Sequence, residues 1–176
     1  MISGIVRGAA VFAALGVASG ASAQESTNRV SADTDWSVFV EDSPRECWGV
    51  SAPTDSSIVD SSGNATDGRR GDILLFVFFR PDAGVNGQVT FTGGYPFAGG
   101  STVTVSIGSE SYELFTEGEW AWPATPEDDA RIVAAMKRGA TAELRGRSGR
   151  GNTTIDEFSL LGFTAAVHEA GSRCGG

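Results

Sequence analysis

Ile73-Leu74-Leu75-Phe76-Val77-Phe78-Phe79 is the most apolar stretch of the chain beyond its N-terminal segment, and its reading decides the fold. Seven residues is strand length, and the aromatic and β-branched side chains favour extended backbone. With no polar residue at either parity, the stretch is expected to form a strand buried on both faces. Arg80-Pro81 ends it. Downstream, Gln88 to Thr92 alternates with Val89 and Phe91 inward, until Gly93-Gly94-Tyr95-Pro96 breaks the pattern. Thr102 to Ile107 alternates again, and Gly108-Ser109 turns the chain into Tyr112 to Phe115, the signature of a hairpin.

Upstream, Trp36, Val38 and Val40 alternate with Ser37 and Phe39, and Cys47 to Val50 forms a second short strand. Residues 53–70 carry Pro, Ser, Asp and Gly with no apolar pair except Ile58-Val59, and read as a long surface loop. Towards the C-terminus, Ala142 and Leu144 alternate with Glu143 and Arg145, Ser148 to Asn152 forms a turn, and Ile155 to Leu161 is a further strand.

Two helices are expected. Thr125 is an N-cap with Pro126 behind it, and Glu127, Asp128 and Asp129 place negative charge on the first turn. Ile132, Val133 and Met136 form an apolar stripe, Lys137 and Arg138 occupy the last turn, and Gly139 is the terminator. Capping accounts for the acids at the start, so no metal site is inferred there. Phe163, Ala166, Val167 and Ala170 recur at helical spacing and lead to Cys174. About eight short strands with turn signals every 8–12 residues favour a mainly β, antiparallel sandwich with one or two short helices.

The N-terminus gives the clearest statement about destination. Arg7 precedes an uncharged run from Gly8 to Ala18, and Ser19-Gly20-Ala21-Ser22-Ala23 supplies a small-x-small site. This is the three-part pattern of a cleaved signal peptide over residues 1–23. The rival readings are a buried N-terminal helix and a membrane anchor, but an anchor would need roughly 20 apolar residues, and this run is shorter and rich in Gly and Ala. Residues 24–34 are polar and are expected to be a mobile arm, with a single domain over 35–176. Of the whole chain's 13 cations, 12 remain after Arg7 is removed, against 22 acids. A balance that acidic argues against nucleic acid, whose affinity rests on phosphate neutralisation. It also favours a soluble monomer through self-repulsion.

Cys47 and Cys174 both survive cleavage. In an oxidising compartment a disulfide is the first reading. A zinc site needs more ligands and a thiol nucleophile needs a base, and His168 is the only histidine. A lone helix histidine reads as a surface residue. No cofactor, phosphate-binding loop or metal spacing is found, and the expectation is a protein without catalytic activity. Asn64-Ala65-Thr66 and Asn152-Thr153-Thr154 match a glycosylation sequon by chance in a bacterial setting.

Two segments stand out as candidate contacts. Glu117-Gly118-Glu119-Trp120-Ala121-Trp122 pairs acids with aromatics, as in carbohydrate sites. Extended backbone would put Glu117 and Glu119 on one face and Trp120 and Trp122 on the other, with the tryptophans capping the core. Lys137, Arg138, Arg145, Arg147 and Arg150 fall within 14 residues of sequence and would form a basic patch if the helix end meets the next strand. Such a patch suits a lipopolysaccharide phosphate or an acidic partner.

Several stretches taken in order resemble the invasion-associated locus B family of alphaproteobacterial exported proteins. They are Asp35-Trp36-Ser37-Val38-Phe39; Cys47; Phe76-Val77-Phe78-Phe79-Arg80-Pro81; and Phe91-Thr92-Gly93-Gly94-Tyr95-Pro96-Phe97. Phe115 to Pro123, Ala134-Ala135-Met136-Lys137-Arg138-Gly139, Phe158 to Ala166 and Cys174 complete the set. The resemblance implies an immunoglobulin-like β-sandwich in the periplasm, at the surface or secreted, and some pathogen members are implicated in host-cell entry. It supplies no catalytic residues. The expectation is therefore an exported binding protein whose partner is a protein or an envelope component. The alternative is a periplasmic glycan or small-ligand binder using the Glu117–Trp122 segment.

Overall fold

Residues with two-fold alternation form strands in the computed structural model, which describes residues 28–174. The expected signal peptide and the start of the expected arm lie outside the described residues. The strands are β1 (Arg29–Asp33), β2 (Trp36–Asp42), β3 (Arg45–Ser51), β4 (Asp55–Val59), β5 (Leu74–Arg80) and β6 (Val85–Thr92). They continue as β7 (Thr102–Ile107), β8 (Glu110–Glu117), β9 (Trp120–Trp122), β10 (Thr141–Arg147) and β11 (Thr153–Ser159). Helix α1 (Pro126–Arg138) separates β9 from β10, and α2 (Phe163–Cys174) follows β11.

The strands make one antiparallel sheet in the order β1-β2-β3-β5-β6-β9-β8-β7-β10-β11-β4. In the strand order the two halves are joined by the short β6–β9 pairing, Phe91 with Ala121 and Thr92 with Trp120. A junction that short lets the sheet fold over. Phe91 on β6 and Phe158 on β11 lie far apart in strand order, yet their rings meet edge to face at 6.1 Å. Trp36 Nε1 on β2 donates to the Ser159 carbonyl at the end of β11. The result is the mainly β, sandwich-like architecture expected, with both inner faces sharing one core of Trp36, Val77, Phe91, Leu114, Leu144, Phe158 and Phe163.

Three local expectations are corrected. Residues 29–33, read as part of a mobile arm, form β1 and pair with β2. Within the loop expected over 53–70, Asp55–Val59 forms β4 and pairs with β11. Both are edge strands, with one neighbour each and little apolar area to hide. Thirdly, β5 is not buried on both faces. Leu75, Val77 and Phe79 enter the core, while Phe76 and Phe78 are only half-buried on the opposite side.

Helix α1 follows its caps: Thr125 Oγ1 accepts from the Asp128 amide, and the acidic first turn is in place. Gly139 ends it in extended backbone and not in the left-handed conformation. Glycine is required there by packing, since a Cβ would sit 2.6 Å from Ile107 Cγ2 and 3.0 Å from Leu160 Cδ1. Asp129 also differs from its expected role. It is buried, and its carboxylate accepts the Val89 amide, which β6 presents beyond the end of β9.

Burial pushes the Asp129 carboxyl up to about 6, against the stabilising Val89 bond and aided by nearby Asp128. Because folding raises this pKa, the native state holds the proton more tightly than the unfolded chain does. The group's contribution is full below about pH 4 and is lost as the pH climbs through about 6, by about 3 kcal/mol. Asp129→Asn keeps an acceptor for Val89 without the charge. Urea unfolding between pH 4 and 7.5 is expected to show the variant losing less stability than the wild type across that window. A difference between the two proteins that does not change with pH would refute this account.

Candidate functional site

Alternation that sends Trp36, Val38 and Cys47 inward must send their neighbours outward. On β2, β3, β5 and β9 those neighbours are aromatic. The Phe39 ring stacks on Trp48 at 5.6 Å, Trp48 meets Phe78 at 6.0 Å, Phe78 meets Phe76 at 5.1 Å, and Phe76 meets Trp120 at 6.0 Å. The register explains the contacts, because Phe39, Trp48 and Phe78 are direct cross-strand partners. The five rings form an unbroken band over the outer face. Thr90 and Thr92 of β6 alternate with inward Val89 and Phe91, yet they are buried at 9% and 7% exposure, Thr90 paired with Phe76 and Thr92 with Trp120 across the strands.

Trp120 is 44% exposed and Phe115 53%. Phe115 pairs with Trp122 across the β8–β9 hairpin. Arg80 holds its guanidinium 4.3 Å from the centre of the Phe78 ring, a cation–π contact, and pairs with Glu46 at 3.2 Å. A shallow recess of about 340 Å³ opens between Phe78, Arg80, Gln88, Thr90, Trp120 and Trp122. The band thus offers flat aromatic area edged by hydrogen-bonding groups.

The Glu117–Trp122 segment enters this site differently from the expectation. Gly118, at φ 58°, reverses the chain, so Glu117 and Trp120 are cross-strand partners and not successive residues of one strand. Glu117 therefore lies on the same outer face as Trp120 and Trp122. Trp120 ends the aromatic band and Trp122 lines the recess beside it, and neither caps the core. Glu119, in the turn, lines a separate cleft.

That cleft has a volume of about 320 Å³ and lies between residues 68–70, 94–96 and 148–154. Its support is a buried ion pair. Arg70 is bound bidentately to Asp156, with both Nη atoms 2.7 Å from the carboxylate oxygens. Arg70 Nε donates to the Gly93 carbonyl and Nη1 also to Ser56 Oγ, so four of its five N–H donors are held by the protein. Tyr95 lies against the Arg70 guanidinium and shares a 2.5 Å hydrogen bond with Thr154. Burial raises the Tyr95 pKa, opposed by Thr154 and Arg70, so the phenol stays protonated at neutral pH.

The five cations expected as one patch are divided. Lys137 and Arg138 sit at the end of α1, where Arg138 pairs with Glu110. Arg145 pairs with Glu143 beside it on β10. Arg147 lies at the far end of β10, six residues along an extended strand from Thr141, roughly 20 Å away. Arg150 lines the cleft. His168 is exposed on α2, whose buried face consists of Phe163, Ala166, Val167, Ala170 and Cys174. Cys47 and Cys174 are joined in a disulfide with Cα atoms 5.8 Å apart.

The sequence reading missed the aromatic band and the Arg70–Asp156 pair. The signal for the first was present in Trp36-Ser37-Val38-Phe39, where burying Trp36 and Val38 puts Phe39 outside. The second joins residues 86 apart and has no local signature. No helix among the described residues is long and apolar enough to cross a membrane. No family model matches the chain, and no curated protein does. Among solved structures, invasion associated protein B from Bartonella henselae is similar over 81% of this chain and 95% of that one, at 14% identity and a TM-score of 0.55, a likeness that shows the fold.

Proposed function

We propose that this chain is an exported, non-catalytic binding protein that engages a partner in the cell envelope or at a host surface through its outer aromatic band. The observation carrying the reading is the unbroken contact of Phe39, Trp48, Phe78, Phe76 and Trp120 on a solvent-facing sheet surface. Contiguous apolar area on a soluble domain marks an interaction surface, and tryptophan and arginine dominate interface energetics. Cross-strand stacking alone, at roughly 0.2–1 kcal/mol per pair, does not require that the ribbon end in a half-exposed tryptophan. The N-terminal export pattern and the closed disulfide support an extracytoplasmic setting, where such a face is in reach of envelope components. The likeness to an invasion associated protein directs the search for partners towards envelope and host-cell surfaces.

A second reading is favoured by the recess beside Trp120: aromatic walls with Arg80, Gln88 and Thr90 also suit a sugar ring stacked on an indole. The two readings separate experimentally. Trp48→Ser and Trp120→Ser are expected to reduce recovery of the partner from envelope extracts at least tenfold, with thermal midpoints within a few degrees of wild type. Tryptophan fluorescence titrated with peptidoglycan fragments and envelope glycans is expected to stay flat under the protein-partner reading and to saturate under the glycan reading. Undiminished recovery by both variants, together with flat titrations, would remove the aromatic band from the function.

A further inference from the structure

The cleft under Glu119 is independent of the aromatic band, and its charge is unusual for this chain. With 22 acids against 13 cations, most described arginines have a carboxylate partner. Arg45, Arg70, Arg80, Arg131, Arg138, Arg145 and Arg173 all do. Arg29, Arg69, Arg147 and Arg150 make no ion pair with another described residue, and of these Arg69 and Arg150 line this cleft from facing loops. Arg70, which also lines the cleft, has its charge neutralised by the bidentate pair with buried Asp156.

The walls are locked in place. Gly71 N donates to the Gly94 carbonyl, and the two backbones come so close that a Cβ on Gly94 would lie 2.6 Å from the Gly71 carbonyl oxygen. Gly94 also has φ 71°, so glycine is required there on both counts. Opposite, Gly149 N donates to Pro96 O, Ala98 N to Arg147 O and Ser148 N to Asn152 O, which fastens the turn carrying Arg150 to the strand break carrying Tyr95. Arg70 ties the Gly93 carbonyl to β11 through Asp156. Two unpaired guanidinium groups are thus held on rigid backbone around a cavity of about 320 Å³.

From this arrangement we infer that the cleft is a binding site for an oxyanion carried on a hydroxylated, sugar-sized molecule, a sugar phosphate or a sugar carboxylate. Paired guanidiniums are matched to oxyanions through bidentate, charge-assisted hydrogen bonds. The volume exceeds that of a bare phosphate and accommodates an attached ring. Glu119 accepts from a hydroxyl of that ring, and Ser148 and Asn152 supply neutral polar contacts at the other wall. The walls need no rearrangement on binding, which lowers the ordering cost of a small ligand.

Isothermal titration of the full mature chain with N-acetylglucosamine 1-phosphate, glucuronate and neutral N-acetylglucosamine tests the inference. Saturable binding of at least one charged probe is expected, weakened at least tenfold in Arg69→Gln and Arg150→Gln and abolished in the double variant. Both side chains are exposed, so the thermal midpoint of the double variant is expected to stay at the wild-type value. Raising salt from 50 to 300 mM is expected to weaken binding several-fold. Comparison of phosphate and carboxylate probes identifies which oxyanion is preferred. Absence of saturation with both charged probes, equal affinity for the neutral sugar, or unchanged affinity in the double variant would overturn the assignment.

Discussion

Replacing both Cys47 and Cys174 with serine is expected to lower the unfolding free energy by about 4–5 kcal/mol. The bond closes a loop of 127 residues, nearly the whole described domain, and chain-entropy stabilisation grows with the logarithm of that length. Its position adds a second effect. Cys47 lies on β3 in the inward row, and Cys174 is the last residue of α2, whose buried face rests on β2, β3 and β5. The helix is short, and without the bond its final turn is held by the Arg45 contact to the Arg173 carbonyl and by Gly171 against the Phe79 ring. A Cβ at Gly171 would meet that ring at 3.3 Å, so the helix packs closely enough on β5 that a larger residue there would crowd Phe79. Denaturant unfolding of the double serine variant is expected to show the full loss, with a thermal midpoint lower by roughly 10–20 °C. Reduction of the wild-type protein should reproduce it. A loss below about 1 kcal/mol would mean that the unfolded chain is constrained by something other than this bond.

Arg70→Met is the second large effect, with an expected cost of about 3–5 kcal/mol. Asp156 has a fully buried side chain, and Arg70 is only 8% exposed. Removing the guanidinium leaves a buried carboxylate without its counter-charge, and the Gly93 carbonyl and Ser56 hydroxyl lose a donor as well. The double variant Arg70→Met/Asp156→Leu is expected to recover a substantial part of the loss, because no uncompensated charge remains. Denaturation of the two single variants and the double variant closes the cycle. Additive losses in the double variant would show that the pair acts as two separate anchors. This prediction bears on the cleft as well, since the pair fixes the loops that carry Arg69 and Tyr95.

Most of the fold is legible where a strand has a wet side and a dry side. Val103, Val105 and Ile107 declare β7, and the Thr125-to-Gly139 caps declare α1, because in each case the local rule and the packing agree. The edge strands escape the same reading. Asp-Ser-Ser-Ile-Val at β4 and Arg-Val-Ser-Ala-Asp at β1 pair on one side only and bury little, so their sequences need no apolar alternation. β5 misleads for the opposite reason. Its outward Phe76 and Phe78 are as apolar as its inward residues because they pack on Trp48 and Trp120, and cross-strand register is not written in any one strand.

The candidate site follows the same logic. Trp120 and Trp122 are visible as aromatics near acids, but their face depends on the reversal at Gly118, which groups them with Glu117 and sends Glu119 to another cleft. The basic cluster divides because sequence distance along an extended strand is spatial distance. Asp129 shows a limit of capping rules: one residue of an acidic first turn serves a neighbouring strand and not the helix.

Site-specific photo-crosslinking in intact cells tests the proposed role of the aromatic band most directly. A benzophenone side chain placed at Trp120 or at Gln88, beside the recess, is expected to capture a discrete partner. The same group at Thr164, on the exposed side of α2, is expected to capture none. Discrete adducts from the α2 position with none from Trp120 or Gln88 would contradict the assignment of the band as the binding surface.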